Sequence, residues 1–110
     1  MSYDIHITNA ARRDLINAAD HIEFVLKNPK AAADLLNEAE KQMNSLADFP
    51  EKFCLSDDPV LSSWGIRFVI VNHYLAFYII DDARKIVIIV RFLYQKSDWN
   101  AILHQGISLV

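Results

Sequence analysis

The chain has one cysteine, two glycines and three prolines in 110 residues, and no uninterrupted apolar run exceeds the seven residues Tyr74 to Ile80. Each scarcity excludes something. Cys54 alone makes no internal disulfide and no cysteine-based metal site. Seven apolar residues are far too few to span a bilayer. The opening Met1-Ser2-Tyr3-Asp4 reads as no apolar leader. His6, His21 and His104 lie far apart without metal-ligand spacing, and His73 reads as a turn residue, so no metal or cofactor is expected. The expected setting is a reducing cytoplasm. What is abundant is hydrophobic material, 53% of the residues, which with so little glycine argues against disorder and for one folded domain over residues 1–110.

The net charge of −3 conceals an asymmetry. Residues 1–63 hold six Lys/Arg against eleven Asp/Glu, a balance of −5, whereas residues 64–110 hold five against three, a balance of +2. An acidic protein makes a poor general nucleic-acid binder, because phosphate contacts need positive potential. A local basic cleft in the second half is still compatible with these numbers.

The stretch from Ile66 to Lys96 carries the strongest pattern. Three runs rich in Val, Ile, Phe and Tyr (Ile66–Val71, Tyr74–Ile80 and Lys85–Tyr94) are separated by Asn72-His73 and by Asp81-Asp82-Ala83-Arg84. This predicts consecutive antiparallel strands, the first pair joined by a two-residue hairpin in which Asn accepts positive φ. Ahead of them, Tyr3, Ile5 and Ile7 alternate with polar residues and predict a short strand over 3–8.

Thr8 or Asn9 then caps a helix whose apolar stripe is Ala11, Leu15, Ala18, Ala19, Ile22, Val25 and Leu26. Asn28-Pro29 starts a second helix, reaching about Ala47, with the stripe Ala32, Leu35, Leu36, Ala39, Met43 and Leu46. The expected architecture is α+β, in the order β-α-α-β-β-β(-α), with a helical hairpin packed on one face of a mainly antiparallel four-stranded sheet. Residues 49–65 show no periodicity but contain Phe49, Phe53, Leu55, Leu61 and Trp64, so they are expected to pack down as an ordered loop. Ser97 is expected to cap a short last helix from Asp98 to about Leu103. Both faces of the last two strands are apolar, and the hairpin covers only one. The other face is expected to be covered by the C-terminal segment or by a partner chain.

The ordered words Asn28-Pro29, Leu46-x-x-Phe49-Pro50, Gly65-Ile66-Arg67, Asn72-His73-Tyr74-Leu75-x-Phe77-Tyr78 and Arg91-Phe92-Leu93-Tyr94-Gln95-Lys96-x-Asp98-Trp99 together resemble the RelE/ParE superfamily of toxins from bacterial type II toxin–antitoxin modules. The resemblance runs from about Tyr3 to Leu103. It implies a first strand lying beside the last, and a cognate antitoxin that folds onto the sheet and through which oligomers form. It also implies one of two targets. ParE-like members bind DNA gyrase and block it; RelE-like members enter the ribosome and cleave mRNA as endoribonucleases.

For RNA cleavage a base, phosphate-stabilising cations and an acid must converge. By the resemblance, Arg67, Arg91 and Tyr94 are the catalytic candidates if the chain cleaves RNA, while Lys52, Lys96 and Trp99 are candidates for RNA or partner binding. A carboxylate base is sought in Asp57 or Asp58. Two departures from the RNA-cleaving patterns stand out: Leu93 occupies the place of a histidine before the tyrosine, and only Lys52 represents the lysines around the loop. With the acidic balance, these departures favour the gyrase reading, and the mRNA endoribonuclease is carried as the alternative. Arg67 and Arg91 also have a purely structural reading, as partners of internal acids.

Overall fold

A computed structural model describes residues 2–110. Strand β1 (Asp4–Ile7) leads into helix α1 (Asn9–Asp20), a π-helical turn (His21–Val25) and helix α2 (Pro29–Ser45). A short helix α3 (Pro59–Ser63), strands β2 (Arg67–Val71), β3 (Tyr74–Asp81) and β4 (Ile86–Tyr94), and helix α4 (Trp99–His104) complete the order. The sheet runs β1-β4-β3-β2, with β1 parallel to β4 and the other pairings antiparallel. The predicted α+β order is therefore present, first strand beside last. Among the described residues no helix is long and apolar enough to cross a membrane.

The local causes are those the sequence advertises. Thr8 accepts the Ala11 N–H at the start of α1, and Asn28 accepts the Ala31 N–H at the start of α2 with Pro29 beside it. Asn72 holds the β2–β3 hairpin at φ 55°. Asp98, not Ser97, caps α4, by accepting the Ala101 N–H.

One departure changes the surface. The first helix was expected to carry its stripe through Val25 and Leu26, but both side chains stand in solvent, Leu26 at 60% exposure. The Leu26 N–H bonds the His21 carbonyl five residues back, so the last turn is widened and the stripe is rotated off the sheet. Lys27 then takes φ 54° and ends the helix. Leu36 likewise departs from its expected place and is exposed, whereas the rest of the second stripe is buried.

The first sheet face forms a core with the hairpin: Ala11, Ala18, Leu35, Ala39, Met43 and Leu46 meet Val69, Ala76, Tyr78, Val87, Ile89 and Phe92. The second face is closed by the molecule itself. Leu61 of α3 and Leu103 of α4 pack with Ile66, Leu75, Phe77, Ile88, Val90 and Leu93, while Trp99, Ile102 and Ile107 lie against that cluster. The expectation that an antitoxin covers this face is corrected in favour of the C-terminal segment. The reason is geometric: α3, inside the stretch read as loop, gives α4 an anchor. Asp58 accepts the Val60 and Leu61 N–H groups to start α3, and the same carboxylate accepts from Asn100 Nδ2 at 2.9 Å and meets His104 Nε2 at 3.0 Å on α4.

Candidate functional site

β4 carries the most informative position. Its pairing to β3 skips a residue: Tyr78 faces Ile89 while Phe77 faces Arg91. The bulge lets Phe92 join the hairpin-side core and Leu93 the opposite one. β1 pairs only as far as Ile89, so the outer edge of β4 beyond it needs other partners. The Thr8 hydroxyl donates to the Ile89 carbonyl at 2.8 Å and lies 3.2 Å from that of Val90. Asp14 on α1 does the rest. Its Oδ2 accepts from Arg91 Nε at 2.6 Å and from the Phe92 N–H at 3.1 Å, and its Oδ1 accepts from Arg91 Nη2 at 3.0 Å.

Arg91 is therefore a bidentate partner of a carboxylate whose side chain is only 15% exposed. Its charge is answered inside the fold. Sequence reasoning did not single out Asp14, yet a signal existed: Asp14 lies three residues after Ala11 and four before Ala18, on the sheet-facing stripe, where an acid needs a cation.

Arg67 sits on β2, the outer strand on the other side of β3. Its Nη1 donates to the Phe53 carbonyl at 2.7 Å. Beside it, Tyr78 is fully buried and donates its hydroxyl to the Pro50 carbonyl at 2.8 Å. Burial pushes that phenol up to about 12.

Tyr94 is exposed and stands edge-on to Tyr74, with ring centroids 5.5 Å apart. It borders a cavity of about 630 Å³ shared with His21, Ile22, Leu26 and His73, between the hairpin tip and the β2–β3 turn. Lys96 is exposed just past the end of β4. Lys52 is exposed, with its ammonium 5.3 Å from the Phe53 ring centroid, and borders a separate cavity of about 780 Å³ with Tyr3 and Phe49. Trp99 packs on Phe77 at 5.3 Å between centroids and docks α4 on the sheet.

Arg91 and Tyr94 lie three residues apart on β4 and Arg67 lies two strands away on β2, and no cavity described above is lined by more than one of them. Asp58, sought as a base, is a helix cap. Hydrogen bonds from Asn100 and the Leu61 N–H, with His104 beside it, hold its carboxyl down at about 2. A carboxylate held that low is a weak proton acceptor near neutrality. Asp57 is exposed.

The sequence model of a family described as the ParE toxin of type II toxin–antitoxin system, parDE, matches residues 5–99. No curated protein matches. Among solved structures, the chain is similar to one from the chromosomal ParDE toxin–antitoxin system of P. aeruginosa, with 21% identity, a TM-score of 0.69, and coverage of 84% of this chain and 96% of that one. It is also similar to one from the toxin–antitoxin complex RelBE2 of Mycobacterium tuberculosis, with 22% identity, a TM-score of 0.58, and coverage of 86% and 99%.

Proposed function

The chain belongs to the ParE toxin family of type II toxin–antitoxin systems, and from that premise we propose that it is neutralised by a cognate antitoxin and acts by binding DNA gyrase rather than by cleaving RNA. The antitoxin follows from the company its relatives keep, since both similar structures come from toxin–antitoxin assemblies.

The observation that carries the choice of target is the Arg91–Asp14 pair. An arginine that must stabilise a phosphate transition state works through unspent positive charge. Here the guanidinium meets a carboxylate with both oxygens, and the same carboxylate also binds the β4 backbone, so releasing Arg91 means breaking a sheet-edge contact as well. The placement of Arg67 two strands away from it and the low-lying carboxyl of Asp58 support the same reading. The acidic balance of the first 63 residues adds to it.

The test is induction of the chain without its antitoxin, alongside a gyrase supercoiling assay with purified protein. Filamentation, a DNA-damage response and inhibited supercoiling with intact messages are expected. Prompt cuts in translated mRNA with supercoiling unaffected would overturn the gyrase reading in favour of a ribosome-dependent endoribonuclease.

A further inference from the structure

The π-helical turn and the residue that follows it put three consecutive apolar side chains in water: Phe24, Val25 and Leu26 are 67%, 65% and 60% exposed. Such a run is a defect on a free surface and a mark of one that meets a partner. Widened turns of this kind also recur at functional sites. The backbone that displays them is firmly held. The Leu26 N–H donates to the His21 carbonyl at 3.0 Å, and the Asn28 N–H donates to the Ile22 carbonyl at 3.0 Å. The three side chains therefore stand on a fixed turn and not on a frayed helix end.

The same tip carries a hole. The cavity of about 630 Å³ is walled by Ile22, Leu26 and Ala31 of the hairpin and by His73, Tyr74 and Tyr94 of the sheet end. Leu26 lines the hole and is itself in solvent, so knob and hole share one patch. The charges that flank these residues are balanced: Asp20, Glu23 and Asp34 against Lys27, Lys30 and Lys96. Lys30 and Asp34 answer each other at 3.3 Å. Glu23 and Lys27 do not, although four residues separate them, the spacing at which a continuing helix pairs opposite charges. Lys27 leaves the helix at φ 54°, and no carboxylate lies within 4.0 Å of its ammonium among the described residues.

We propose that this tip is the contact surface of a two-fold dimer of the chain itself, formed without any antitoxin. Leu26 of each copy reaches into the cavity of the other, with Phe24 and Val25 closing around it, and Lys27 of each copy meets Glu23 of the other. A two-fold contact needs a surface that complements itself. This one holds knob and hole, acid and base, side by side. Other occupants match it less well. A nucleic acid needs an excess of cations and meets as many acids. An anionic membrane surface accepts Phe24 to Leu26 but repels Asp20 and Glu23. The inference goes beyond the gyrase reading and does not depend on it.

The test is analytical ultracentrifugation of the purified full-length chain alone, over protein concentrations from about 5 µM to about 1 mM. A reversible monomer–dimer equilibrium is expected, with a dissociation constant of about 10–500 µM, as suits a small patch. Leu26→Ser is expected to weaken it by about tenfold or more. Because Leu26 stands in solvent in the single chain, that variant is expected to keep its native circular dichroism. Lys27→Glu and Glu23→Lys are each expected to weaken association severalfold. An equimolar mixture of those two variants is expected to restore it, because both cross-pairs of the mixed dimer again join opposite charges. If Leu26→Ser fails to fold, the mixture still decides the matter. A chain that stays monomeric throughout the range, a dimer that folded Leu26→Ser leaves intact, or a mixture no tighter than either single variant overturns the proposal. So does co-sedimentation of a monomeric chain with phosphatidylserine vesicles in place of self-association.

Discussion

Asp14 and Arg91 stand 77 residues apart in sequence, and their side chains meet at 2.6 Å where β1 stops short of the end of β4. One carboxylate finishes a sheet edge and neutralises the cation beside it. The pair joins the helical and strand halves of the chain, one net acidic and the other net basic.

Asp14→Ala is expected to destabilise the protein by about 2–3 kcal/mol. It strands a half-buried guanidinium and leaves the Phe92 N–H without its partner. Asp14→Asn, which keeps one acceptor for that N–H, is expected to lose less. Urea unfolding of the two variants checks both the size and the order.

Tyr78→Phe is expected to cost about 1–2 kcal/mol, because the buried Pro50 carbonyl loses its donor while the ring packing is unchanged. The pH dependence follows from the same group. Its folded value of about 12 lies above the ordinary tyrosine value of 10.0, so its contribution is full below pH 10 and is lost as pH rises from 10 toward 12. A phenolate absorbance titration is expected to show one tyrosine ionising last, and to lose that step in the variant.

Asp58 works in the opposite direction. Its carboxyl is depressed from 3.8 to about 2, so its stabilising contribution is present above pH 4 and disappears as pH falls from 4 toward 2. Docking of α4 is expected to loosen over that range, seen as a red shift of tryptophan emission from Trp99. In Asp58→Asn the shift is expected to be present already at neutral pH, because the variant removes the charge that binds α3 and α4 together.

Leu26→Ser is expected to change stability by less than about 0.5 kcal/mol, since the side chain is already in solvent. Leu35→Ala, on the neighbouring helix and fully buried, is expected to cost about 2–5 kcal/mol. Thermal melts of the two variants test whether the widened turn turns Leu26 off the sheet. A continuous α-helix facing the sheet would make their losses comparable.

Trp99→Ala is expected to cost about 2–4 kcal/mol and to raise binding of a hydrophobic dye, as the Phe77 side of the sheet opens to water. If an incoming chain covered this face instead of α4, the variant would change little in the isolated protein.

The sequence by itself determined the order of the elements, because periodicity, caps and turn residues are local. The apolar run Tyr74–Ile80, Asn72 at the turn and Asn28-Pro29 between the helices each act within a few residues. It also displayed that two sheet faces needed cover. What tertiary structure decided was which groups answered which. The α3–α4 clasp, the Leu55–Arg67 bridge and the Asp14–Arg91 pair join residues whose separation along the chain carries no periodic signal. Composition reveals that an acid and a base are present; only packing brings their charges within hydrogen-bond reach, where desolvation makes the pairing matter.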